Sequence, residues 1–147
     1  MDEYLREASE RDLDLLYGWA NDPEVRRNSF STAQIPYQEH QEWFQGLLLD
    51  STRKQYIYMA GRIPVGQIRV AVQGDGAEVS YSIGKEWRGQ GYGKRMLASL
   101  QQQMRKDMPK VHRLTAKVKE GNPGSEHAFV SSGYQKAYSL YELELKE

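Results

Sequence analysis

There is no cysteine in this chain, which excludes disulfides, thiolate metal centres and a cysteine nucleophile and fits a reducing compartment. Histidine is scarce: His40, His112 and His127 are widely separated, without the spacing of a metal site, so no metal is expected. No apolar run approaches the roughly 18 residues of a membrane span. The opening MDEYLREASE is acidic and has no apolar stretch of a secretory signal. An excess of either charge is also missing. Lys plus Arg and Asp plus Glu both number 20, so the basic surplus of a nucleic-acid binder is absent. Repeats and low-complexity linkers are not found. What is there is ordinary globular material, 39% hydrophobic and 27% charged over 147 residues. That is enough for one domain, 1–147, with its own core. A cytoplasmic protein is expected, acting on neither nucleic acid nor membrane.

Periodicity divides the chain into elements. Tyr4 to Ala8 reads as a strand, and Ser9 with Asp12 resembles a capping box opening a helix through Trp19. Pro23 disfavours a helical residue before it and is expected to end that helix. Helical spacing returns from Pro36 to Leu49, with Trp43, Phe44, Leu47 and Leu48 on the apolar face. Gln55 to Ala60, Val65 to Val72 and Ala77 to Ile83 read as strands separated by "GRIP" and "QGDG". Connections this short make them antiparallel neighbours. Met96, Leu97, Leu100 and Met104 mark a helix ending near Asp107, before Pro109. Leu114 to Val118 is a further strand, Glu126 to Ser131 a short helix closed by Gly133, and Tyr134 to Tyr138 and Leu140 to Leu145 two last strands. The order βααβββαβαββ predicts an α/β (α+β) fold, a sheet with helices packed against it.

The segment "EWRGQGYGKRML", Glu86 to Leu97, gives up side chains at Gly89, Gly91 and Gly93 just before a helix. A strand-to-helix turn explains some of this without any ligand. A phosphate explains more. The first amides of a helix lack internal partners and the helix dipole is positive there, so bare backbone curling around phosphate oxygens satisfies both. Arg88 and Lys94 add positive charge. The pattern G-x-x-x-x-G-K-[ST] fails because Arg95 follows Lys94. A dinucleotide fingerprint fails because the glycines follow a hairpin meander rather than opening a βαβ unit.

"RGQGYG" resembles the acetyl-CoA pyrophosphate loop of the GNAT acetyltransferase superfamily, and "NPGSEHAFVSSGY" (Asn122 to Tyr134) resembles that family's later N-x-x-S…G-[FY] segment. The likeness spans nearly the whole chain. It implies the GNAT fold, a mixed, mostly antiparallel sheet of about seven strands flanked by about four helices. It also implies acetyl-CoA as co-substrate, held by Arg88, Gly89, Gln90, Gly91, Tyr92, Gly93 and Lys94. Ser82 and Ile83 would pair with the pantetheine arm, and Asn122 and Ser125 would touch the coenzyme further along. The implied reaction is direct acetyl transfer to a primary amine of a small molecule, and a homodimer is compatible with it.

Transfer requires a neutral amine and a proton for the leaving thiolate. Many relatives place a tyrosine for the second task where this chain has Phe129, which is expected in the core. Ser125 is the substitute acid considered. Glu78, on the strand entering the glycine loop, and His40, in the second helix, are the candidate bases. On the acceptor side, "WANDPEVRRNSF", "IPYQEHQEWF" and "VGQIRV" resemble a narrower branch that acetylates nucleotide-linked aminosugars, as in pseudaminic-acid-type pathways. That likeness puts Asn21, Arg26, His40, Gln67 and Arg69 near the acceptor, with Arg26 facing a diphosphate and Tyr81 available to stack. Two alternatives stay open: an acceptor that is a protein N-terminus or another small amine, and a non-catalytic acyl-CoA sensor.

Overall fold

The computed structural model describes residues 2–145. The chain opens with strand β1 (Glu3–Glu7), followed by a 3-10 turn (Glu10–Asp12) that runs into helix α1 (Leu13–Ala20). Ser9 donates its amide to the Asp12 carboxylate at 2.9 Å, half of the expected capping box. The same carboxylate takes two 2.8 Å bonds from Arg6, so a buried acid fixes β1 to the start of α1. Burial pushes the Asp12 carboxyl up, but Arg6 and the Ser9 amide outweigh it and hold it below its usual value.

Pro23 acts differently from expectation. It occupies the first position of a short extra helix, α2 (Pro23–Arg27), where its missing N–H costs nothing, and Asp22 caps that helix by accepting from the Glu24 amide at 2.9 Å. Helix α3 (Tyr37–Leu49) follows.

Strands β2 (Arg53–Ala60), β3 (Ile63–Gln73) and β4 (Gly76–Ile83) form the expected antiparallel meander, and β1 pairs antiparallel with β2. A second 3-10 turn (Lys85–Trp87) and the glycine loop lead into α4 (Tyr92–Asp107). The chain then crosses over to β5 (Arg113–Thr115), parallel to β4, and continues into α5 (Pro123–Ser131). The sheet order is β1-β2-β3-β4-β5. This is the mixed α/β architecture expected, with five strands and five α-helices among the described residues where about seven and about four were expected.

Two expected strands are missing. Tyr134 to Tyr138 and Leu140 to Leu145 form no strand, and Tyr138, Leu140, Tyr141, Leu143 and Leu145 are exposed. β5 also covers only three residues instead of the expected Leu114 to Val118. Alternating side chains make a strand only where a neighbour offers backbone to pair with, and so short a β5 offers little.

The sheet is buried on both faces, so β2 reads as continuously apolar rather than alternating. One face packs Tyr56, Tyr58, Ile68, Val70 and Val79 against Met96, Leu97, Leu100 and Met104 of α4, with Phe129 of α5 joining them. The other packs Ile57 and Met59 against Leu16 of α1 and Phe44 and Leu47 of α3. His40 sits in this second layer. It is 2% exposed and lies beside Tyr17, Trp43 and Phe44. Its Nε2 is 3.1 Å from the Leu13 carbonyl. A carbonyl only accepts, so Nε2 carries the proton and joins α3 to α1.

Burial disfavours the imidazolium and lowers the pKa of His40, against the weaker opposing pull of the Leu13 carbonyl and Asp14. A histidine depressed in the folded state stabilises the fold above its unfolded pKa of about 6.5, and that contribution is lost as pH falls below it. Urea midpoints are therefore expected to drop between pH 7.5 and 5.5 in the wild type. The drop is expected to be smaller in His40→Gln, which keeps a hydrogen-bond donor but does not titrate. Equal slopes in the two proteins would show that His40 is not the group responsible.

Candidate active site

β4 and β5 pair only through Gly76, Ala77 and Glu78. Beyond Glu78 the strands separate, so the edge of β4 from Val79 to Ile83 has no strand beside it, while its opposite edge stays paired to β3 as far as Ile83. The glycine loop begins just past this open edge. Gly89 and Gly91 have φ of +75° and +82°, backbone that side chains other than glycine rarely adopt, and Gly91 is the N-cap of α4. Among the described residues, no amide from Arg88 to Lys94 donates to another protein group, and Gly89, Gln90 and Gly91 are exposed. The arrangement forms a cradle. A Cβ at Gly91 would fall 2.7 Å from Nη1 of Arg95, and one at Gly93 would lie 3.3 Å from the Tyr81 ring.

Not every expected coenzyme residue offers its side chain. Arg88 is committed elsewhere. It donates to the Ile83 carbonyl at 3.1 Å and pairs with Asp22 and Glu24 at the start of α2, so only its backbone is available to a phosphate. Lys94 is exposed. Asn122 accepts from the Ser125 amide at 3.3 Å and caps α5. Ser82 sends its side chain to the other face, where it accepts from Gln67 at 3.0 Å. The cradle is therefore made of backbone, as the glycines imply, and it lies next to the open edge of β4.

Ser125 stands opposite β4, its Oγ 3.2 Å from the hydroxyl of Tyr81. Burial raises the Tyr81 pKa against the smaller opposing effect of Ser125, so its phenol keeps its proton. Phe129 is buried edge-on to both Tyr81 and Tyr134, at 5.4 and 4.9 Å. The Tyr134 hydroxyl is buried without a partner among the described residues. Sequence reasoning considered Tyr81 only for stacking. Its pairing with Ser125 joins residues 44 apart in the chain and leaves no local signal.

On the opposite face of β3 and β4 lies a cavity of about 350 Å³, walled by α1, α2 and α3. His40, Gln67, Arg69 and Tyr81 line it as expected, together with Trp43 and Glu39. Its floor is a polar ladder running across three strands. Gln55 donates to Gln67 at 2.7 Å, and Gln67 donates to Ser82 at 3.0 Å. Arg69 lies over the Trp43 ring, 5.0 Å from its centroid.

The other candidates do different work. Arg26 donates to the carbonyls of Ala20, Ser31 and Ala33 and to Ser29 Oγ at 2.8–3.2 Å, so it holds a loop even though it borders the cavity. Asn21 bonds Ile35 through both ends of its amide, at 2.9 and 2.7 Å, and ties α1 to the entry of α3. Glu78 lies outside the cavity lining, next to Lys117 and Gln73. Glu39, the one carboxylate lining the cavity, is exposed and was missed. Its only sequence signal is its place beside His40. A larger hollow of about 450 Å³ between the end of α3 and β2 has none of the glycine-loop or Tyr81–Ser125 groups in its lining.

The same arrangement of strands and helices is found in solved structures of low sequence identity. An aminoglycoside acetyltransferase, AAC(6')-Ib, in complex with coenzyme A and kanamycin, superposes with a TM-score of 0.79 at 20% identity, covering 92% of this chain and 86% of that one. Spermidine N-acetyltransferase from Vibrio cholerae, in complex with coenzyme A and spermine, gives 0.84 at 15% identity over 98% and 88%. A domain from Methanocaldococcus jannaschii gives 0.83 at 20% identity over 96% and 93%. At these identities the likeness is one of fold. No curated protein has a matching sequence. None of these three structures is described as an enzyme of nucleotide-linked aminosugars, so that narrower branch rests on the sequence motifs. Residues 4–135 match the family described as Acetyltransferase (GNAT) domain, and the chain belongs to that family.

Proposed function

We propose that this protein is an acetyl-CoA-dependent N-acetyltransferase that moves the acetyl group directly to a primary amine seated in the cavity over Gln67 and Arg69. One observation carries the reading. A single strand, β4, presents the unpaired amides of the glycine loop at its end, an open backbone edge on one side, and the cavity floor through Ser80 and Ser82. Coenzyme and acceptor therefore converge on the same few residues. Acetyl-CoA supplies the thioester.

The rest falls to the chain. The amides from Gly89 to Lys94 bind the pyrophosphate, where the α4 dipole adds its positive end. The edge of β4 from Val79 to Ile83 holds the pantetheine arm by backbone pairing, which fixes the position of the reacting carbon. The acceptor amine must attack as the neutral base, and a positioned group that takes its proton accelerates such a step by about 10²- to 10⁴-fold. Glu39, at the cavity rim, passes that proton to solvent. His40 shapes the wall as a neutral ring. The Tyr81 hydroxyl, kept protonated by burial and oriented by Ser125, gives its proton to the departing thiolate. It does the work for which Phe129 lacks a hydroxyl. A nucleotide-linked aminosugar is the acceptor class that the first-half motifs favour.

Three measurements bear on this reading. Gly91→Glu places bulk and negative charge in the cradle. It is expected to weaken acetyl-CoA binding roughly 100-fold or more, the equivalent of two charge-assisted hydrogen bonds at about 1.5–3 kcal/mol each. Calorimetry on the folded variant decides it, and an unchanged affinity would remove the loop assignment. Tyr81→Phe is expected to lower kcat by about 10²-fold while leaving acetyl-CoA affinity intact, because the lost proton transfer belongs to the chemical step. An unchanged kcat would dismiss Tyr81 as the acid. Release of free thiol should be followed across nucleotide-linked aminosugars, polyamines and peptides. Binding of acetyl-CoA without turnover of any amine would instead make the protein a sensor.

A further inference from the structure

The charges lining the acceptor cavity do not suit a polycation. Glu39 at the rim is its one carboxylate, while Arg26 and Arg69 are both cations. Arg26 has spent its donors on the loop carbonyls and Ser29. Arg69 has not. Among the described residues it makes no hydrogen bond and no ion pair, although it is half-buried. Its cross-strand neighbours are the neutral Gln55 on β2 and Ser80 on β4. Glu78, an acid on the same strand face as Ser80, attracts Arg69 less than burial and Arg53 oppose its charge, and it lies within 3.6 Å of Lys117. Arg53 adds repulsion and is itself engaged by Asp50 at 2.8 Å.

A guanidinium withdrawn from water and left without an anion is costly unless something else supplies the charge. The Trp43 ring accounts for one face of it. The guanidinium carbon lies over that ring at 5.0 Å, and among the described residues its N–H donors have no protein partner, so they are free to grip a carboxylate or phosphate with two parallel bonds. The ladder Gln55–Gln67–Ser82 fills the neighbouring floor with neutral groups, and among the described residues no carboxylate bonds Arg69.

We infer that the acceptor amine also carries an anionic group, a phosphate or a carboxylate, and that Arg69, lying over Trp43, binds that anion and determines acceptor choice. This rests on the proposed acetyl transfer and narrows its acceptor. It replaces Arg26 with Arg69 as the anion contact, because only Arg69 has donors to give. The anion and the amine lie at opposite ends of one small molecule, with Arg69 on the cavity floor and Glu39 at its mouth. Spermidine and aminoglycosides, which bring several positive charges, would meet an unneutralised guanidinium.

Matched acceptor pairs test this in the full chain loaded with acetyl-CoA. Glucosamine 6-phosphate against glucosamine reports on a phosphate, and phenylalanine against phenylalaninamide on a carboxylate, with spermidine as the polycation. The wild type is expected to prefer the anionic member of at least one pair in kcat/KM, and the pair showing it identifies the anion. Arg69→Gln is expected to lower kcat/KM for that member roughly 10- to 150-fold, mainly through KM. The neutral member should lose distinctly less, acetyl-CoA affinity should not change, and Arg69→Lys should retain part of the preference. Preference for the neutral members or for spermidine overturns the inference, as does an equal loss for both members of a pair. Should acetyl-CoA bind while no amine turns over, the transfer reading fails by itself. Calorimetry of glucosamine 6-phosphate and phenylalanine on the coenzyme A-bound protein then decides. Binding that Arg69→Gln removes supports the anion site, and no binding in either arm overturns it.

Discussion

Everything in this molecule that bears on chemistry is arranged around the early parting of two parallel strands. β4 and β5 share three residue pairs and then diverge. Parallel neighbours require a crossover, and the crossover here is α4, entered from the carboxyl end of β4. The helix N-terminus is thereby delivered to the place where the strand edge falls open. Unpaired sheet edges and unpaired helix amides are both unfavourable when left dry. A ligand that offers phosphate at one end and amides along its length resolves both. On its other side β4 is paired to β3 along its whole length, from Gly76 to Ile83, which keeps the cavity floor fixed while the opposite edge stays free.

Two sets of interactions hold the coenzyme half to the acceptor half. The first is the ladder Gln55–Gln67–Ser82, which crosses three strands beneath the cavity. The second is Arg88, whose side chain reaches from the glycine loop to Asp22 and Glu24. Burial raises the Asp22 carboxyl, but the Glu24 amide and the Arg88 charge prevail and keep it ionised. Asp22 also caps α2, so the acid that starts this short helix simultaneously anchors the phosphate loop. Arg88 is thus a basic residue of the glycine loop whose charge serves the frame.

The acceptor cavity shows how similar folds part in chemistry. Helices α1, α2 and α3 form its walls, and the hydrogen bonds of Asn21, Arg26 and His40 fix those walls to one another. With these residues occupied in holding the walls, Arg69 over Trp43 and the exposed Glu39 are the charged lining side chains without a hydrogen bond among the described residues, and the proposed acceptor choice rests on them.

Much of this was legible in the residues. Short apolar-rich runs between turn signals located β2, β3 and β4, and helical spacing located α3 and α4, because each of these elements buries side chains and must show it in the sequence. The glycines announced a backbone cradle, since φ near +80° leaves few alternatives. Pro23 misled because the same residue that stops one helix is well suited to start another when an aspartate precedes it. The last two strands misled because alternation states only what a strand would bury, whereas β5 is too short to receive one. The sequence by itself determined the central meander, the long helices, the glycine-rich turn and the family. Which polar side chains are free to act was decided by the tertiary structure alone. Arg26, Arg88 and Asn21 look as available as Arg69 in a line of letters, and only folding turns carbonyls and carboxylates toward three of them while, among the described residues, none bonds the fourth.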